Sequence, residues 1–105
     1  MMINYTDAIP YILGTYGEQE QLVKLTEECG ELIVSANKRR ETLVHSDDKS
    51  FTEVAESRNA LAEEIADVLI MIEQITYAEG FEDDVRKIID EKIRRQIDRI
   101  KGVKV

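Results

Sequence analysis

The chain has 105 residues, with 22 Asp and Glu against 14 Lys and Arg and a formal net charge of −8. That length reads as one domain over residues 1–105 with a single modest core, and the negative balance argues against a general binder of nucleic-acid polymers or anionic membranes. No apolar run is long enough to span a membrane, no signal peptide is read, and the lone cysteine, Cys29, can form no internal disulfide, so a cytoplasmic setting is expected.

One proline and five glycines punctuate the chain, and no stretch alternates as a half-buried strand would, so an all-α fold is predicted, of four-helix-bundle type. The first helix is expected to be capped by Thr6 and to end near Tyr16, with Gly17 as its stop. Pro10 then falls in or near the first turn, where its missing N–H costs little. Tyr5, Ile9, Ile12 and Leu13 would pack on the body of the domain. A second helix is predicted from about Glu18 to Arg40, with an acidic start and the basic finish Lys38, Arg39 and Arg40 suiting the helix dipole. Gly30 lies inside it at a cost of about 1 kcal/mol against alanine. Cys29 is expected as a core thiol. The polar run from Glu41 to about Ser50 reads as a loop, extending to Asn59 if the next helix starts late, with His45 solvated in it.

A third helix is predicted from about Phe51 to Glu79, capped by Ser50 or Thr52 and stopped by Gly80. Beyond Asp67 it is apolar on more than one face, through Val68, Leu69, Ile70, Met71, Ile72 and Ile75. A small monomer needs one buried face, so the surplus predicts a subunit interface and a homodimer or homotetramer. The fourth helix, from about Glu82 to Lys101, carries the stripe Val85, Ile89, Ile93, Gln96 and Ile100.

Acidic residues on two of these helices share a placement. At about 100° per residue, measured from Leu25, Glu28 falls near −60° and Glu31 near −120°, beside the stripe Leu22, Cys29, Leu32 and Ala36. Measured from Leu61, Glu64 and Asp67 fall at about the same two angles, beside Ile65, Val68 and Ile72. If the stripes face each other, four carboxylates converge at one margin of the core. They would repel one another without a cation and would form a hard oxygen cage for Mg2+ or Mn2+ with one. On the fourth helix Lys92, Arg95 and Arg99 occupy the corresponding margin. Two acidic margins and one basic margin suit a metal–phosphate site, in which carboxylates hold the metal and the basic side chains take phosphate.

The pattern E-E-x-x-E at Glu27, Glu28 and Glu31, followed by E-x-x-D at Glu64 and Asp67, resembles the MazG-like nucleoside triphosphate pyrophosphohydrolases of the all-α NTP pyrophosphatase superfamily. The runs QLVKLTEECGELIVSANK, EIADVLIMIEQI and EKIRRQIDRI read like that family, over roughly residues 18 to 101. The resemblance implies magnesium-dependent cleavage of a nucleoside triphosphate between its α- and β-phosphates, giving a monophosphate and pyrophosphate. It implies Glu28, Glu31, Glu64 and Asp67 as metal ligands, Glu27 as the group orienting the attacking water, and Lys92 and Arg95 as phosphate-binding residues. Glu31 and Glu64 stand 33 positions apart, more than in compact MazG domains, so the loop around residues 41 to 60 departs from the pattern. Asn37 and Lys38, at the helix end facing that loop, are the candidates for nucleotide contact. Phosphoribosyl-ATP pyrophosphatase is a related alternative, resembled less because its aromatic–His pair is replaced here by Val68, Leu69, Ile70 and Met71. A non-catalytic helical interaction module is the alternative from another class.

Overall fold

The structure, a computed structural model, describes residues 7–102. Four helices follow one another: α1 (Ala8–Tyr16), α2 (Glu18–Val44), α3 (Phe51–Glu79) and α4 (Glu82–Ile100), with one turn of 3-10 helix at Ser46–Asp48 between α2 and α3. The all-α expectation holds over the described residues. The expected cap Thr6 and the packing residue Tyr5 lie outside them.

The chain stops and starts its helices mostly where turn chemistry directs. Gly17 takes φ +88°, which an L side chain rarely adopts, and donates its N–H to Leu13 O at 2.7 Å, closing α1. Ser50 caps α3 as expected, its hydroxyl accepting the Glu53 N–H at 3.1 Å. Gly80, left-handed at φ +68°, ends α3 with its N–H on Thr76 O.

The sequence reading fails at the end of α2, which runs four residues beyond Arg40 to Val44. Tertiary contacts carry it on. Thr42 is buried and its hydroxyl donates back to Lys38 O at 2.8 Å. Arg39 reaches across to α3, donating to Val54 O at 2.9 Å and Ser57 Oγ at 3.1 Å. The predicted loop therefore shrinks to residues 45–50. His45 is exposed there, as expected.

Helices α2 and α3 form the frame of the molecule. They lie antiparallel, since Gln21 meets Gln74 at one end and Arg39 meets Val54 and Ser57 at the other. Helix α1 packs on both. The buried apolar side chains are Ile9 from α1 with Val68 and Met71 from α3. Cys29 is half-buried rather than enclosed. A Cβ at Gly30 would meet nothing within 4 Å, so no neighbouring helix demands glycine there and its propensity cost is simply carried.

Helix α4 stands apart from this frame, with only marginal contact to it. None of its residues is buried, and Ile88, Ile89, Ile93, Ile97 and Ile100 are all exposed. The radius of gyration, 17.5 Å, exceeds the roughly 13 Å of a compact chain of this length. The accessible surface, 8282 Å², exceeds the roughly 6,000 Å² of a folded monomer of this mass. The surplus apolar surface was expected on α3. On α3, Val68 and Met71 are buried within the chain while Ile65, Ile70 and Ile72 stay exposed, and α4 adds an uncovered stripe of its own.

Candidate metal centre

The antiparallel register of α2 and α3 sets Glu28 and Glu31 opposite Glu64 and Asp67, midway between the glutamine pair and the Arg39 contact. One carboxylate oxygen from each of Glu28, Glu64 and Asp67 lies within 4.8 Å of the other two. Glu28 is only 8 % exposed, Glu64 is half-buried and Asp67 is exposed, so the cluster opens to solvent on the Asp67 side. Glu28 Oε2 and Glu64 Oε2 are both buried without a hydrogen-bond partner. A buried carboxylate oxygen left in that state is costly unless a cation completes it.

Glu31 stands at the margin of the same cluster. The negative charges of Glu28 and then Glu64, together with hydrogen bonding to Glu28, hold its carboxyl above the usual glutamate range. The sequence-derived ligands are thus brought together, three in mutual reach and the fourth close enough to feel their charge.

Lys24, which sequence reasoning passed over, is the cation of this neighbourhood. Its Nζ lies 3.3 Å from Glu28 Oε1 and 3.7 Å from Glu27 Oε2. The hydrogen bond and charge of Glu28, followed by the charges of Glu27 and Glu31, hold the ammonium above the ordinary lysine range. The i,i+3 and i,i+4 spacing before Glu27 and Glu28 was the available signal. Glu27 is exposed and lies outside the convergent trio.

The remaining candidates are dispersed. Lys38 lines a separate groove of about 330 Å³ with Thr42, Lys49 and Glu53, while Asn37 is exposed and takes no part in its wall. Lys92 and Arg95 line a small recess on α4 with Gln96 and Arg99, and no residue of α2 or α3 borders it. Within one chain, the basic ridge and the carboxylates are therefore not brought together.

The cluster thus combines two buried oxygens without partners, a lysine on Glu28 and an Asp67 that faces solvent. No family model, curated protein or solved structure matches this chain. The donor set therefore has to be judged by its own chemistry. Its oxygens are all carboxylate and hard, they come from two rigid helices, and one side stays open for further ligands. That composition fits Mg2+ or Mn2+ better than a thiophilic or imidazole-seeking ion.

Proposed function

We propose that this protein is a magnesium-dependent nucleotide pyrophosphohydrolase of the MazG-like kind, splitting a nucleoside triphosphate into monophosphate and pyrophosphate. The observation carrying this reading is the carboxylate trio Glu28, Glu64 and Asp67, with two buried oxygens that lack partners. Glu28, Glu64 and Asp67, with Glu31 beside them, would hold the metal. When bound, the ion supplies charge neutralisation for phosphate oxygens and an acidified water. Positioning and charge do most of the work in phosphoanhydride hydrolysis, which suits a site with no nucleophilic side chain of its own. Glu27, exposed at the rim, is the group suited to orient the attacking water.

Helix α4 belongs to the same proposal. Its bare isoleucines and a surface about 2,000 Å² larger than a monomer's argue for a second copy as its cover. A standard interface takes only about 800 Å² from each partner. In such a homodimer, or a tetramer built from it, the four-helix packing expected of the sequence would be completed between chains. Lys92 and Arg95 would then reach phosphate only if α4 of one protomer lies along the α2–α3 pair of the other.

The deciding experiment offers the purified protein a panel of ribo- and deoxyribonucleoside triphosphates with Mg2+ and detects pyrophosphate and monophosphate. Release of orthophosphate instead, or no magnesium-dependent product from any member of the panel, would defeat the assignment.

A further inference from the structure

Lys24 straddles two carboxylates of different kinds. Its ammonium lies 3.3 Å from Oε1 of Glu28, a member of the convergent trio, and 3.7 Å from Oε2 of Glu27, which stands outside it. Glu28 is 8 % exposed and its other oxygen, Oε2, has no partner, so the lysine satisfies only half of that carboxylate. The side chains of Lys24 and Glu27 are by contrast 52 % and 59 % exposed. The ammonium therefore has a path to water, and a second acceptor along it, that requires no movement of the helix.

A lysine so placed gives the centre a counter-charge belonging to the chain itself. The three carboxylates lie close enough to repel one another, and an ammonium on the most buried of them offsets part of that repulsion. Among the described residues no other basic side chain forms an ion pair with Glu28, Glu64 or Asp67. A lysine carries a single charge on a flexible stem, which makes it exchangeable in a way a bidentate arginine is not.

The exchange is biased by charge. A sodium or potassium ion entering the trio would trade one unit charge for another and shed its hydration besides, so it gains nothing. A divalent ion brings twice the charge to the same oxygens. Two cations on the Glu28 carboxylate repel, and the one on the flexible, half-exposed stem withdraws.

We propose that Lys24 is the resident counter-ion of the carboxylate centre and sets its selectivity for charge, holding Glu28 against monovalent cations and yielding it to a divalent one by moving over to Glu27. The proposal rests on reading the carboxylate trio as a metal site. It adds what occupies the carboxylates beforehand and what decides which ions displace it.

The test titrates wild type, Lys24→Met and Lys24→Arg with MgCl2 and with MnCl2 by calorimetry, in choline chloride and again in NaCl of equal ionic strength. NMR of the Lys24 Cε and Nζ signals in wild type follows the ammonium itself. In choline chloride, whose cation is too large for the trio, Lys24→Met should bind Mg2+ about ten-fold more tightly than wild type, having no ammonium to displace. NaCl should weaken Mg2+ binding to Lys24→Met by competition and leave wild type unchanged. Lys24→Arg, which keeps the charge, should return both properties toward wild type. The Lys24 signals should move on adding Mg2+ and stay still on adding NaCl. Equal Mg2+ affinity in wild type and Lys24→Met, or Lys24 signals unmoved by bound Mg2+, would overturn the proposal and leave the metal centre standing. Weaker Mg2+ binding by Lys24→Met would overturn it too, by making the lysine a support of the site and not a competitor for it. Absence of Mg2+ and Mn2+ binding from all three proteins at millimolar metal would remove the metal-centre reading and the proposal together.

Discussion

Replacing Glu64 by glutamine should raise the stability of the metal-free protein and lower that of the metal-loaded one. Glu64 has a buried oxygen without a partner, and its carboxylate lies within 4.8 Å of those of Glu28 and Asp67. At 4.8 Å and an effective dielectric of about 20, each like-charge pair costs about 3.5 kcal/mol before screening. Solvent around Asp67 and the Lys24 ammonium on Glu28 reduce this, leaving a net relief of about 1 kcal/mol on neutralising Glu64. For a domain of this size that is a rise of about 4–8 °C in Tm. Wild type at a hundred times its dissociation constant for Mg2+ should gain about 2.7 kcal/mol, because the ion binds only the folded state. Glu64→Gln, with a poor ligand in place of a carboxylate, should gain almost none. The two melting curves should therefore exchange order when Mg2+ is added. Melts at one protein concentration, with NaCl matched for ionic strength, separate binding from screening. A Glu64→Gln variant less stable than wild type without metal, or one gaining equally from Mg2+, would refute the electrostatic account of the site.

Glu31→Gln and Asp67→Asn should each cut nucleotide turnover by about a hundred-fold or more while leaving the far-ultraviolet helix signal intact, since an amide ligates a hard cation poorly. Near-normal kcat/KM in either would remove that residue from the site. Ile93→Glu, on exposed α4, should shift sedimentation toward the 12.1 kDa monomer without unfolding the α2–α3 pair, whereas Met71→Glu, which buries a charge, should unfold the chain itself. A wild type that sediments as a monomer at micromolar concentration would contradict the proposed cover of α4. Glu18 and Glu79 supply a pH test: a hydrogen bond to Glu79, burial and Glu79's charge hold the Glu18 carboxyl above its usual range. A raised acid favours the folded state while protonated and loses that advantage as pH climbs through the folded-state value. The stability of Glu18→Gln relative to wild type should accordingly grow from pH 4 to pH 7, and a flat or falling difference would deny the contact.

The sequence was informative where a residue's role follows from its position on its own helix. The matched offsets of Glu28 and Glu31 and of Glu64 and Asp67 announced a shared margin, and α2 and α3 do pack together there, although Leu22, Ile65 and Ile72 of the expected apolar stripes stay exposed. Gly17, Ser50 and Gly80 announced helix ends because their backbone chemistry is local. What escaped depends on which surface meets which. The overrun of α2 to Val44 comes from Arg39 grasping α3, a contact 15 to 18 residues away along the chain. Gln21 and Gln74 look like ordinary surface amides until they are found buried against each other. The stripe on α4 was plain in the sequence, but periodicity names a face to be covered and not the chain that covers it. Lys92 and Arg95 accordingly occupy the right angular margin on a helix that stands away from the carboxylates.

The glutamine pair and the Arg39 contact also act as two alignment pins, one on each side of the carboxylates. Sliding α2 against α3 by one turn, about 5.4 Å, would unpair two buried carboxamides at one end and strip Arg39 from its acceptors at the other. Apolar stripes alone resist such a slip weakly, because leucine and isoleucine pack nearly as well one turn along. The same slip would carry Glu28 out of reach of Glu64 and Asp67. The spacing of the acidic oxygens is thus set by a glutamine pair and an arginine roughly two to three turns away, which touch none of them. Drift at Gln21 or Gln74 should then be tolerated only in compensating pairs, and a single change there would detune the carboxylates while leaving each one in its sequence place.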